Sequence, residues 1–361
     1  MKISRRKALA AIAAGTVSPA LATPALASGN IEWKLVTSWP KNLPGPGISA
    51  QMLADQITGM SDGRLTVKLF AAGELVPALE TFDAVASGTA ELAHTAPVFW
   101  GGKFSAAPLF TAGPFGLTPI EHMTWIYHGG GQELWDELYA SSGVKPFMAG
   151  NTGFQMGGWF KREIRDISDF KGLKMRIPGL GGRVIEKFGA VPVAMAPGEI
   201  FSAMQSGLLD ATEFLGPFSD MAMGFQKVAD YYYFPGWHEP NGTGEALVSI
   251  DAFSSLPDDL KAIVEAACAH TNIVGLTQSE WFNAESLLKL MNENSVSVRA
   301  FPDKVLESFR SATTEVMADL AETDDLTARI VKSWRGAARH QEEWSDVSLR
   351  AFIDARQLNS A

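Results

Sequence analysis

One stretch of this chain occurs twice. Glu80, Phe82, Ala84, Ser87 and Gly88 recur 119 residues later as Glu199, Phe201, Ala203, Ser206 and Gly207, and Glu91 is answered by Asp210. The flanking patterns repeat with them. Ile31 to Trp39 alternates apolar and polar residues as a strand does, Ile48 to Met60 carries apolar residues at helical spacing, and Leu65 to Phe70 alternates again. Glu80 to Ser87 then reads as a helix stopped by Gly88, and Ala90 to Thr95 as the next strand. The second copy keeps this order: strand Leu173 to Ile177, helix Gly182 to Phe188, strand Val191 to Met195, helix Glu199 to Ser206, strand Leu209 to Phe214. Alternation of this kind predicts parallel sheets. The chain is therefore expected to fold as two similar α/β lobes.

Open α/β sheets hold ligands beyond the carboxyl ends of their strands, and two facing lobes turn those ends toward one cleft. Gly150 to Phe160 is expected to cross between the lobes once, and the turn-rich run within Tyr231 to Gly244 to cross back, an arrangement suited to hinge closure. After Leu256 strand signals vanish, and helices are expected over Asp258 to Asn292, Pro302 to Glu322 and Leu326 to Ile353. The expected organisation is lobe I over residues 28–152 plus about 241–285, lobe II over 153–240, and C-terminal helices over about 286–361 that brace the lobes or carry a partner subunit.

The first 27 residues differ in kind. Lys2, Arg5, Arg6 and Lys7 precede an uncharged Ala-rich run ending at Ala25, Leu26 and Ala27, the pattern of a cleavable export signal; the paired arginines also fit a twin-arginine signal. Without that segment the 361-residue chain keeps 26 basic and 40 acidic residues, a net charge of −14, with no basic stripe, so nucleic acid is excluded as a partner. Cys268 is the sole cysteine and reads as a core thiol among alanines. The six histidines show no paired metal-ligand spacing, and neither G-x-S-x-G nor H-E-x-x-H occurs.

Candidate chemistry lies at the strand ends of the second copy. Arg176 closes a strand and is followed by Pro178, Gly179, Leu180, Gly181 and Gly182, which places a guanidinium beside a helix start; both favour a carboxylate. Glu213 occupies the place that His94 has in the first copy, Gln155 falls in the first crossing and Glu239 in the second. Hard cations choose such oxygens. Glu213, Glu239 and a bound carboxylate against Arg176 leave a net of −2, which one divalent cation neutralises; with Glu239 outside the shell, a monovalent cation does the same. A cation, Ca2+ or Na+, is expected to bridge protein and ligand. Trp100 and Trp237 are the aromatic residues held as lining candidates.

At these residues the chain resembles the solute-binding proteins of tripartite ATP-independent periplasmic (TRAP) transporters, of the DctP type. The resemblance covers nearly all of the chain after residue 27. It is carried most specifically by Lys174 to Gly182 (KMRIPGLGG), Pro197 to Phe214 (PGEIFSAMQSGLLDATEF) and Phe234 to Glu239 (FPGWHE). Thr37 to Gly47 (TSWPKNLPGPG) and Ala71 to Glu80 (AAGELVPALE) are similar to the subgroup that binds 2-oxo or 2-hydroxy acids with a metal ion. The resemblance implies a two-lobed, type II-like periplasmic-binding-protein fold, with each lobe a mixed, mostly parallel sheet flanked by helices. It also implies capture of an organic acid by lobe closure, delivery to a membrane permease, and no catalysis. Arg176 becomes the carboxylate clamp, Gln155 a contact to metal and substrate, Glu213 the metal carboxylate, the Phe214 carbonyl a further ligand, and Glu239 part of the closing side. Phe214 stands where a tryptophan is common, and His238 where a second aromatic residue is often found. Pairing into a homodimer through a long C-terminal helix is also implied. A receptor-feeding binding protein and a secreted cation-dependent enzyme are the alternatives.

Overall fold

Eleven strands are present among the described residues, 30–293 and 296–358 of the computed structural model. The expected export signal lies outside them. In chain order the strands are β1 (Ile31–Thr37), β2 (Leu65–Phe70), β3 (Leu92–Thr95), β4 (Val144–Asn151), β5 (Gly158–Phe160), β6 (Lys174–Arg176), β7 (Val191–Val193), β8 (Ala211–Thr212), β9 (Tyr231–Phe234), β10 (Thr243–Ser249) and β11 (Ser297–Ala300). They form two sheets, ordered β2-β1-β3-β10-β4 and β11-β9-β5-β8-β6-β7.

The duplication read from sequence is a duplication of topology. Aligning β2 with β7 brings β1 onto β6, β3 onto β8, β10 onto β5 and β4 onto β9. Each sheet is parallel except for one strand reversed against both neighbours, β10 in the first and β5 in the second. Each reversed strand arrives from the other sheet: residues 152–157 lead from β4 to β5, and residues 235–242 lead from β9 back to β10. The two lobes have thus exchanged a strand each. The correspondence extends to single hydrogen bonds. Helices Thr81–Ala86 and Ile200–Ser206 end at Gly88 (φ 74°) and Gly207 (φ 79°), where the left-handed turn favours glycine. Beyond them Glu91 accepts the Lys34 amide (2.8 Å) and Asp210 the Lys174 amide (3.0 Å), each tying the new strand's approach to its parallel neighbour.

Several boundaries differ from expectation. The helix expected from Gly182 starts at Gly179, so that the glycine run supplies its first turn. The stretch after Leu256 contains a strand: β11 lies between two long helices and pairs in parallel with β9, so the C-terminal part of the chain completes the second sheet. Four residues are too few for alternation to register against such neighbours. The helices around it run Asp258–Asn292, Asp303–Ala321 and Asp325–Ser345, followed by a π-helical turn and Ala351–Gln357.

The 35-residue helix Asp258–Asn292 spans about 50 Å and stiffens the crossing region. Leu260, Val264, Ala267, Cys268, Thr271, Gly275 and Ser279 form its buried stripe. Ser279 donates to the Asn151 carbonyl (3.3 Å), Glu280 accepts the Phe154 amide (2.8 Å) and Asn283 accepts the Phe218 amide (2.9 Å). One rigid element therefore touches the first lobe, the crossing and the second lobe.

Trp100 and Trp237 belong to the core rather than to a cavity wall. Trp237 stacks on Phe309 (4.2 Å between centroids), and Trp100 packs on Phe82 while its indole donates to Glu245 Oε1 at 2.5 Å. Glu245 is fully buried on β10, its Oε2 has no partner, and burial pushes its carboxyl up to about 8, with the Trp100 hydrogen bond opposing. Asp220, also buried, is pushed up to about 7 by burial and so acts in the same direction. A carboxyl that is protonated when folded and ionised when unfolded contributes stability that is present below the unfolded value and lost as pH rises to the folded one. Between pH 6.5 and 8 the protein should lose stability through Glu245, by on the order of 1 kcal/mol per pH unit. Thermal unfolding of Glu245→Gln should show a flatter alkaline slope than the wild type; identical slopes would refute this protonation.

Candidate functional site

The strand ends of both sheets converge on a cavity between the lobes, with about 520 Å³ of empty space when open solvent is included. Arg176 is the last residue of β6, Glu213 and Phe214 follow β8, Gln155 comes from the first crossing, and Glu239 from the second. All five line this cavity. His94, on β3 at the position equivalent to Glu213, lines it from the first lobe, so the duplicated positions meet across one space.

Arg176 is only 2% exposed. Its Nη1 donates to Glu213 Oε1 (2.5 Å) and to the Glu213 carbonyl (3.1 Å), and the guanidinium carbon lies 5.7 Å from the centre of the Phe214 ring. The other Glu213 oxygen meets His238 Nε2 at 3.1 Å. Glu213 is therefore engaged through both carboxylate oxygens, whereas Arg176 Nε is buried without a partner. Gln155 shows the complementary deficit: its Nε2 donates to Thr152 Oγ1 (3.3 Å), but its buried Oε1 accepts nothing. Burial, reinforced by the Glu213 charge, raises the Glu239 carboxyl well above the carboxylate range, with Arg176 and Gln155 opposing. A buried donor and a buried acceptor left over in one cavity are groups that a ligand can satisfy.

The crossings that deliver Gln155 and Glu239 are stitched together. The Thr152 amide donates to the Gly242 carbonyl (3.0 Å), and Asn151 Nδ2 donates to Asn241 Oδ1 (2.8 Å). A β-carbon on Gly242 would stand 1.9 Å from Thr152 Oγ1 and 2.4 Å from Gln155 Nε2. Only glycine leaves Gln155 its place.

The apolar wall is made of Trp39, Val98, Phe99 and Phe214 rather than Trp100 and Trp237. Trp39 lies just past β1 and donates its indole N–H to His94 Nδ1 (2.9 Å), while His94 Nε2 donates to the Ala149 carbonyl at 2.6 Å. Those two bonds fix a neutral imidazole, and burial lowers its pKa to about 4. His94 thus orients Trp39. The 119-residue offset from Glu213 marks His94 in sequence, whereas nothing local marks Trp39. His238, a turn residue by pattern, is a direct partner of Glu213 across 25 positions. Among the described residues no group of three or more His, Cys, Asp or Glu is disposed to hold a metal. Any cation here would depend on amide, main-chain and ligand oxygens beside the two carboxylates.

Two strand-exchanged lobes enclosing a mostly apolar cavity, with one guanidinium at its end, define a two-lobed solute-binding protein. Residues 37–324 match the DctP family, bacterial extracellular solute-binding protein family 7, and the chain belongs to that family, the solute-binding proteins of TRAP transporters. A monocarboxylate 2-oxoacid-binding periplasmic protein of Nostoc sp. is 36% identical over 358 residues, spanning 97% of this chain and 98% of the relative. A TRAP periplasmic solute-binding protein from Pseudoalteromonas atlantica, crystallised with sodium and pyruvate, is 38% identical; the alignment covers 90% of this chain and 99% of that one, with a TM-score of 0.87. One from Bordetella bronchiseptica, a mixed-occupancy dimer with calcium and picolinate, is 35% identical over 91% of this chain and 97% of that one, with a TM-score of 0.88.

Proposed function

We propose that this protein captures a small 2-oxo or 2-hydroxy monocarboxylic acid, together with a calcium or sodium ion, and delivers it to TRAP permease subunits without chemical change. The observation that carries the reading is the matched pair of unsatisfied groups, Arg176 Nε and Gln155 Oε1, in one buried cavity. The acid's carboxylate would take the guanidinium donor, and a cation held by its carboxylate and 2-oxygen would take the amide oxygen. Glu213, the Phe214 carbonyl and Glu239 complete an all-oxygen donor set of the kind hard cations prefer. Among the described residues Arg176 is the only cationic side chain lining the cavity, His94 being neutral, so a second carboxylate would have no cationic partner there, which favours monocarboxylates.

The charge count accommodates both ions. With Glu239 protonated, the acid, Glu213 and Arg176 sum to −1, which sodium neutralises; calcium neutralises the same set once Glu239 gives up its proton. The relatives bound to sodium and to calcium support this flexibility. By calorimetry, pyruvate should bind in calcium or sodium buffer and lose most of its affinity after chelation and exchange into choline salts. Arg176→Lys should weaken binding by roughly 1.5–3 kcal/mol, because an ammonium cannot reproduce the planar fork. Cation-independent binding would eliminate the bridging ion, and undiminished affinity in Arg176→Lys would eliminate the clamp.

We also propose that the first 27 residues direct export to the periplasm and are removed near Ala27, and that the mature protein is a homodimer. Trp344, Val347, Phe352 and Leu358 stand 63–72% exposed on the C-terminal helical segment, and Trp281 and Leu288 are 68% and 60% exposed on the long helix, beside an apolar groove that also includes Ile120 and Phe154. Large apolar side chains exposed in this number suit contact with a second copy. Native mass spectrometry of periplasmic protein should give a dimer of chains beginning at Ser28, and a monomer when residues 346–361 are deleted. A full-length monomer, or a retained leader, would count against these assignments.

A further inference from the structure

Beyond the acid site lies a second space between the lobes, with an empty volume of about 800 Å³. The two spaces share three wall residues: Val98 and Phe99 from the first lobe and Pro178 from the second. Two of the three are fixed. The Val98 amide donates to Thr111 Oγ1 (2.9 Å), and the second lobe closes on the Val98 side chain so tightly that a β-carbon on Gly179 would stand 2.6 Å from its Cγ2. Pro178 caps the helix that begins at Gly179. Phe99 differs: its amide donates to the Ala96 carbonyl (3.2 Å), but its ring is half-buried and held by packing alone, leaning on Trp39 (5.7 Å) and Trp100 (6.2 Å). A side-chain rotation of that ring would open the partition.

An acid held by Arg176 would point its substituent away from the charged groups, toward this apolar wall. The outer space continues in the same character, with Leu79, Pro108, Leu180 and Met195 around it; Arg183, the one charged residue lining it among the described residues, is solvent-exposed. An alkyl chain suits this lining better than a second carboxylate does. Resting on the acid-binding reading above, we propose that Phe99 determines the chain length this protein accepts: its ring seals the inner cavity around short acids and, turned aside, admits the tail of a longer 2-oxo monocarboxylic acid into the outer cavity.

Isothermal calorimetry on straight-chain 2-oxo acids of three to eight carbons, with calcium present throughout, tests this. The wild type should bind the longer acids no more tightly than pyruvate. Phe99→Ala should tighten about fourfold per added methylene beyond five carbons, the factor expected for burying one methylene. Adding Ser105→Phe, which places a ring in the outer cavity, should abolish that gain. Phe99→Leu gives the same comparison with a smaller loss of packing should the alanine variant fail to fold. Parallel chain-length dependences in wild type and variant would overturn the proposal, as would a gain that survives Ser105→Phe. Tightening confined to 2-oxo dicarboxylates and lost in Arg183→Gln would overturn it in favour of a distal carboxylate site. Pyruvate binding to the wild type separates the cases. If pyruvate fails to bind, the acid-binding reading itself fails; if it binds while the dependences stay parallel, only the role of Phe99 does.

Discussion

A guanidinium buried between two lobes must be neutralised where it stands, because a lone charge taken out of water is far costlier than any contact it makes through packing. Arg176 meets that requirement through Glu213, and Glu213 in turn holds His238. The triad spans β6, the end of β8 and the return crossing, so the ion pair also fixes the second lobe's side of the cleft. What it leaves over defines the site. The buried Arg176 Nε and Gln155 Oε1 remain unpaired in a space that Trp39, Phe99 and Phe214 wall on its apolar side, and an anion carrying its own cation answers both deficits.

The fold supplies this arrangement by exchanging strands. β5 and β10 each run antiparallel in a sheet otherwise built by the opposite direction of travel, and each is reached by a crossing that brings a site residue with it, Gln155 in one case and Glu239 in the other. Because the crossings are bonded to each other through Asn151, Asn241, Thr152 and Gly242, the segments that carry the two residues are held side by side where the lobes meet. The long helix behind them is bonded to both lobes and to the first crossing through Ser279, Glu280 and Asn283.

Much of this was legible in the chain itself. The repeat could be read because glycine-terminated helices and the carboxylates that follow them are local signals, and Glu91 and Asp210 perform the same bond in both lobes. The convergence of Arg176, Gln155, Glu213, Phe214 and Glu239 on one cavity follows from strand ends meeting at a cleft, together with the family resemblance. The choice of tryptophans was not legible. Composition cannot say which face of a 3-10 turn meets the core, and the structure turns Trp100 inward to Glu245 while its neighbour Phe99 reaches the cavity. β11 was hidden by its brevity, and His238 by the 25 residues that separate it from its partner.

The central claim is that Arg176 and Gln155 receive one ligand between them. A crystal structure of the mature protein grown with pyruvate and calcium tests it directly. The account predicts the pyruvate carboxylate within hydrogen-bonding distance of Arg176 and a cation touching both Gln155 Oε1 and the acid, inside the cavity walled by Trp39, Phe99 and Phe214. Pyruvate bound elsewhere, with Arg176 Nε and Gln155 Oε1 still unpaired, would contradict it.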